Sequence, residues 1–441
     1  MEKEKAQLKR EIGLYGFSAN IVNTIIGAGI FVIPAIVASE LGSASIFAYI
    51  FCSGLMLLMM LNYAEVGSKI TETGGVYTYI EKSFGKYPGF LTAVLMLLAT
   101  VAADAAVANA VVSIAFKLFP ALQSQLIKIS FFFVVFTGLG YINIKGVKKG
   151  VGVVMAITLL KIVPLLLIIF LGFVDIDFLN LAWEKVPSFE KIGSASLILF
   201  FAYTGVGSAL SVSGEVINPQ KTIPRAILLS VVVISIIYIL VQTVAQGVLG
   251  DALPGFVENP LGEVASKIFG PIGFTLLTIG AGVSMFGSMS SKILSVPRIL
   301  YAASHDRVLP FKKLGLVHPT YNTPYVSIIV YASLGFIFAS IGGLKHLLVV
   351  SSASSLLIAM GVCIATIKLR RDPRYNKDEI AFKIPGGYTV PILAILAILW
   401  FLTNMTLEEI ESISYFTLVL TALYFLINSK KVKRIFGQGT D

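Results

Sequence analysis

The sequence predicts an all-α integral membrane protein of twelve transmembrane helices: two five-helix repeats of inverted orientation, with helices 1 and 6 discontinuous, followed by two further helices. Three observations predict it. Of 441 residues, 56% are hydrophobic and 13% charged, and the mean hydropathy of +0.87 is far from that of a soluble domain. Twelve apolar segments have spanning length, and two of them, five spans apart, are interrupted by paired glycines at mid-membrane depth.

The spans fall at about 13–36, 45–68, 89–116, 126–144, 150–174, 194–214, 226–249, 271–303, 325–341, 346–367, 389–405 and 413–428. Each is compatible with the roughly 17 to 25 residues needed to cross hydrocarbon. Numbered from a cytoplasmic N-terminus, the inner segments hold 25 of the 34 Lys and Arg and the outer loops six. That asymmetry predicts a multi-pass protein of the cell membrane with both termini cytoplasmic. It also explains the net charge of +10 without a nucleic acid partner. The opening MEKEKAQLKREI mixes acids and bases and has no small-residue cleavage site after it, so no removable leader is expected. Cys52 and Cys363 lie in apolar segments far apart, giving neither a disulfide framework nor a metal spacing. No Pro/Ser-rich linker divides the chain. A single domain over 1–441 is expected, with repeats at about 13–174 and 194–368 and the last two helices at about 389–428.

The first span contains NTIIGAGIF and the sixth FFAYTGVGS. Irregular backbone at this depth is tolerated only where it is buried in protein or lines a watery cavity, because each unsatisfied polar group costs several kcal/mol in lipid. Gly27, Gly29, Gly205 and Gly207 permit it. Matching breaks in two oppositely oriented halves point to a secondary transporter with a midplane site. Half-helix N-termini offer N–H groups to a carboxylate, and exposed carbonyls accept from an ammonium, so an α-amino acid suits the site. A packing face of small residues is the competing reading of a single GxG pair.

Four further strings extend the pattern: YAEVGSKITETGGVYTYI at 63–80, FFAYTGVGSALSVSGEVINPQKTIPRAI at 200–227, RILYAASHDRVLP at 298–310 and FKIPGGYTVP at 382–391. With NTIIGAGIF, in this order and spacing, the chain resembles the amino acid–polyamine–organocation permeases from about residue 10 to 430. The resemblance implies the five-plus-five repeat shared with sodium-coupled neurotransmitter transporters. It places the substrate carboxylate on the backbone of Gly27, Ala28 and Gly29, and the amine on carbonyls near Thr24, Ile25, Phe201, Ala202 and Thr204. Two departures stand out. Ala28 replaces a hydroxyl found in some members, leaving main-chain N–H to hold the carboxylate, and Gly207 stands where others carry a proton-coupling Glu. Tyr203 and Phe201 are candidate caps of the pocket, with packing as the alternative.

Four charged residues, Asp104, Lys161, Lys292 and Arg298, sit deep within apolar spans. Lys161 lies about eleven residues, roughly 16 Å, from the end of its helix, too deep to reach the interface, so it should face the bundle interior. The resemblance implies an ammonium standing in for the sodium of coupled relatives, tying the fifth helix to the first break, either as a group that gains and loses a proton or as a constant structural cation. Asp104 is at the centre of the third span and Lys292 in the eighth, at a similar level. Asp104 selects a cationic side chain, or Lys292 an acidic one, or the two neutralise each other for a neutral substrate. Arg298 lies nearer the inner end, where it serves as a gate charge or an anchor, and Glu65 and Glu215 are candidate partners for such bases. His305, His318 and His346 sit at loop margins and carry no assigned role.

Without a GxxxxGK[ST] string, ATP is not an energy source, and no cofactor is implied. The expected function is sodium-independent amino acid transport, by proton-coupled uptake or by exchange, with the substrate and membrane lipid as partners. A polyamine or organic-cation carrier and a non-transporting amino acid sensor are the alternatives. A membrane enzyme would need a deep nucleophile or acid-base set, and the deep ionisable groups have no His or Cys beside them.

Overall fold

The first apolar span begins as a helix, α1 (Leu14–Ile25), opens over 26–28 and resumes as α2 (Gly29–Leu41). A turn at Gly42–Ala44 leads into α3 (Ser45–Lys69), whose first residue donates its hydroxyl to Gly42 O at 2.6 Å. A short α4 (Val76–Phe84) precedes α5 (Lys86–Leu118), α6 (Gln125–Ile144) and α7 (Val151–Gly172). The second interrupted region comprises α8 (Phe189–Phe200), a 3₁₀ turn at Phe201–Tyr203, α9 (Val206–Ala209) and a 3₁₀ segment to Glu215. Then come α10 (Pro219–Leu249), α11 (Pro260–His305), α12 (Tyr325–Ile341), α13 (Leu344–Arg371), α14 (Pro373–Asn376), α15 (Thr389–Thr403) and α16 (Leu407–Asn428). The computed structural model describes residues 10, 12–72, 74–145, 151–183, 186–321, 323–376 and 381–428. Both termini fall outside these residues, as does the side chain of His346.

Local chemistry sets the boundaries. Pro219 begins α10, where its missing N–H costs nothing. Asn259 caps α11 by accepting from Gly262 N at 3.2 Å. Gly270 adopts φ 70° inside α11 and bends it just before Pro271, where the expected span 271–303 starts.

Twelve spans are expected, and the helices long enough to cross are fewer. Among the described residues, eight helical stretches are long and apolar enough to cross a membrane by length and composition. The interruption splits the first expected span into helices of 12 and 13 residues, and α2 then runs through the Gly42 turn into α3 as one stretch, Gly29–Lys69. Tyr325–Ile341, Thr389–Thr403 and Ser414–Leu426 are apolar and shorter. The protein is therefore an all-α, multi-pass membrane protein with two discontinuous helices.

α10 packs along α3 and α13 along α5, while α1 sits among α7, α10 and α11. The interrupted segments are thereby enclosed by helices, the condition for broken backbone at this depth. At the end of the bundle marked by α4, the chain before α1 joins the chain after the second interruption in a parallel β-bridge, Ile12 with Val216. Ile12 N donates to Glu215 O at 3.0 Å and Ile217 N to Ile12 O at 2.9 Å. Gly74 N donates to Ser211 O at 3.1 Å, and the Tyr77 hydroxyl to Asp306 at 3.2 Å. Burial, then the charge of Asp306, push the Tyr77 pKa up, which keeps that donor protonated.

Glu65 is fully buried at the same end and accepts from Lys69 Nζ at 2.9 Å, Arg370 Nε at 2.8 Å, Arg370 Nη2 at 2.5 Å and Ile384 N at 2.9 Å. The expected pairing with a basic group is met by Lys69 and Arg370. Arg370 also donates to Gly387 O, so the FKIPGGY string is fastened to α3 and α13.

Candidate functional site

The two interruptions meet backbone to backbone. A Cβ added to Gly29 would lie 2.6 Å from Ala202 Cα, a distance that excludes any side chain there. Gly205 has φ +118°, and a Cβ on it would stand 3.0 Å from Thr24 O. At the start of α2, Phe31 N and Val32 N donate to Ala28 O at 3.0 and 3.2 Å, so the N–H groups not used by the helix are those of Gly29 and Ile30.

Lys161, 2% exposed, reaches the end of α1 from α7 and donates to Asn23 O at 2.9 Å and Ile26 O at 3.1 Å. These carbonyls are left over where α1 stops, and an ammonium satisfies two of them at once. α11 supplies a second set of contacts to the same strip of backbone. Asn23 Nδ2 donates to Ser291 Oγ at 2.8 Å, Ser288 Oγ lies 3.4 Å from Thr24 O, and Ser284 Oγ lies 3.5 Å from Ile26 O. The second interruption is braced by Tyr238, whose hydroxyl donates to Ala202 O at 2.9 Å, and by Thr204, whose N–H and hydroxyl both bond Phe201 O. Tyr203 bonds Ser53 at 2.6 Å.

Asp104 and Lys292 pair. Their charged atoms are 3.2 Å apart in a fully buried setting, and the Tyr331 hydroxyl donates to the other carboxylate oxygen at 2.8 Å. Of the three alternatives in the sequence, the mutual neutralisation of Asp104 and Lys292 is the arrangement in this structure.

Two cavities adjoin the interruptions. The larger, about 60 Å³, lies against Tyr203, Thr204, Gly205 and Lys292, with α3, α5 and α13 as its other walls. The smaller, about 10 Å³, touches Ala28, Gly29 and Phe201. Thr24, Ile25, Gly27, Ala202 and Asp104 line neither cavity. On a measure where one water needs at least roughly 10–15 Å³, the larger cavity has room for several waters. Its thioether wall of Met56, Met59, Met60 and Met96, with the hydroxyls of Thr100, Ser351 and Ser355, was not anticipated. Nor was the role of Ser284, Ser288 and Ser291, although their i, i+4, i+7 spacing marks one face of a helix.

Residues 12–427 match the family described as amino acid permease. The chain is 31% identical over 404 residues to the serine/threonine exchanger SteT of Bacillus subtilis (strain 168), covering 90% of this chain and 91% of that protein. It is 27% identical to the branched-chain amino acid permease BcaP of the same organism, covering 97% of this chain and 94% of that one. It is 29% identical to the cystine/glutamate transporter of Homo sapiens, covering 90% of this chain and 81% of that one. The chain belongs to the amino acid permease family, within the amino acid–polyamine–organocation superfamily.

Proposed function

We propose that the protein is a secondary-active, sodium-independent transporter that exchanges neutral amino acids across the membrane by alternating access. The observation that carries this reading is the joint between the interruptions: α1 and α8 both stop at the same depth, and Lys161 occupies the carbonyls that a sodium ion would otherwise hold. Twelve crossings in a five-plus-five inverted arrangement, both termini cytoplasmic, account for the Lys and Arg distribution.

The substrate carboxylate docks on the N–H groups of Gly27, Ala28 and Gly29, aided by the positive end of α2. Its amine meets carbonyls of Thr24, Ile25, Phe201, Ala202 and Thr204. Phe201 O and Ala202 O already accept from Thr204 and Tyr238, but each carbonyl keeps a second lone pair. The side chain extends toward Tyr203, Gly205 and the methionine wall. Lys292 lines the pocket with its charge balanced by Asp104 behind it, which favours a neutral side chain. The serine/threonine exchange and branched-chain transport named for two relatives agree with this class. Exchange is favoured over proton coupling because Asp104 is already paired and Gly207 offers no carboxylate.

Purified protein in liposomes preloaded with unlabelled neutral amino acids should take up a labelled one in choline buffer without a pH gradient. Uptake that needs sodium contradicts the role given to Lys161. Uptake into empty vesicles driven only by a pH gradient contradicts exchange.

A further inference from the structure

A furrow of about 430 Å³ runs along the outer surface between α6 and α12, away from the central cavities. Its floor is where the helices touch: a Cβ on Gly140 would stand 3.3 Å from Ala332 Cβ. Its rims are large side chains left exposed, among them Phe133 and Tyr141 on α6 and Ile329 and Ile337 on α12. Small residues below and bulky ones above make a groove rather than a flat face. The volume lies within the roughly 300–1,000 Å³ of small-molecule sites.

Length and polarity fix what fits. From Phe133 to Ile144 the groove spans eleven helical residues, about 16 Å, or roughly half of a 30 Å hydrocarbon layer. One end is stopped in the apolar zone by the edge-to-face contact of Phe133 with Phe336, centroids 5.8 Å apart. The other end is polar. There Lys145, exposed and just past the end of α6, holds its ammonium 4.6 Å from the Tyr141 ring centroid. Thr323 pins that end by donating to Ile144 O at 2.6 Å. No residue lining the groove carries a carboxylate. A channel as deep as one leaflet, lined mainly by apolar side chains and closed by a cation at one end, has the shape and charge of a single lipid.

We propose that the groove between α6 and α12 is a binding site for one anionic phospholipid, its acyl chain lying against Gly140, Ala332 and Ser333 and its phosphate paired with Lys145. The lipid belongs to the leaflet on the Lys145 side, and the site is independent of the transport reading above.

The test is native mass spectrometry of the full-length protein after delipidation and titration with phosphatidylglycerol or phosphatidylcholine. Wild-type protein should retain one phosphatidylglycerol with about fivefold preference, the effect expected of one lysine on an anionic lipid. Ser333→Phe, at an exposed position, should fill the groove and lose the retained lipid of both kinds. Lys145→Glu should keep chain binding while losing the headgroup preference. Thr137→Phe, also exposed, serves as a second groove-filling variant should Ser333→Phe fail to fold. Equal retention of the two lipids by wild type, or retention unchanged in the groove-filling variants, overturns the proposal. A dimer that dissociates in those variants overturns it too, since a second copy would then be the occupant.

Discussion

Replacing Asp104 by Asn strips the negative partner from Lys292 while leaving an oxygen for the Tyr331 hydroxyl to bond. At 3.2 Å and an effective dielectric of about 20, the lost attraction is about 5 kcal/mol. Removing one member of a buried pair typically costs about 3–5 kcal/mol, because the other charge stays buried and unpaired. Lys292→Met should cost a similar amount from the other side. The double variant removes both charges together, and it should return to within about 2 kcal/mol of wild type. Thermal unfolding of the four purified proteins in detergent, read as a double-mutant cycle, measures the coupling. A double variant as unstable as the two losses added would refute the pairing and, with it, the account of a charge-balanced pocket. Transport gives an independent check. Lys292→Met removes the cation that lines the cavity and leaves Asp104 behind it uncompensated, so cationic amino acids should begin to compete with neutral ones for uptake.

Three further perturbations probe the joint and its supports. Lys161→Met removes two charge-assisted bonds, each worth about 1.5–3 kcal/mol, and should abolish uptake; transport near wild-type level would disprove the bracing role. Gly205→Ala forces a side chain into a left-handed conformation at about 1–2 kcal/mol and brings a methyl 3.0 Å from Thr24 O. It should lower uptake more than a Gly138→Ala control at an uncrowded position, and equal effects would count against a tight joint. Glu65→Gln weakens the bonds from Arg370 and Lys69 and should lower thermal stability by about 3 kcal/mol or more while leaving substrate specificity unchanged; an altered specificity would place Glu65 in the site instead.

The interruptions were legible because hydrocarbon punishes free backbone, so glycine pairs inside an apolar run stand out against any bland background. The depth of Lys161 was legible for the same reason, but its acceptors were not: Asn23 and Ile26 offer carbonyls, which every residue has. The alternatives for Asp104 stayed open in the sequence because α5 and α11 are far apart along the chain, and their mutual rotation and depth decide whether 3.2 Å or a cavity separates the two charges. Spans and helices part company where the sequence treats 13–36 as one element and the molecule makes two helices, one of which continues into α3. The methionine wall was hidden by composition, since Met in an apolar helix carries no signal of which way it faces. The tether between Glu65 and Arg370 was half visible, as a buried acid in search of a base, but its partner came from 305 residues away.

The bridge between Ile12 and Val216 ties the chain before α1 to the chain after the second interruption, so the alternation proposed above has to reckon with its strength. It consists of two peptide bonds' worth of hydrogen bonding, joined by Gly74 with Ser211 and Tyr77 with Asp306. At about 0.5–1.5 kcal/mol net for each such bond, the whole latch amounts to a few kcal/mol. A fastening of that strength is small enough for the carrier proposed above to break and remake on every cycle.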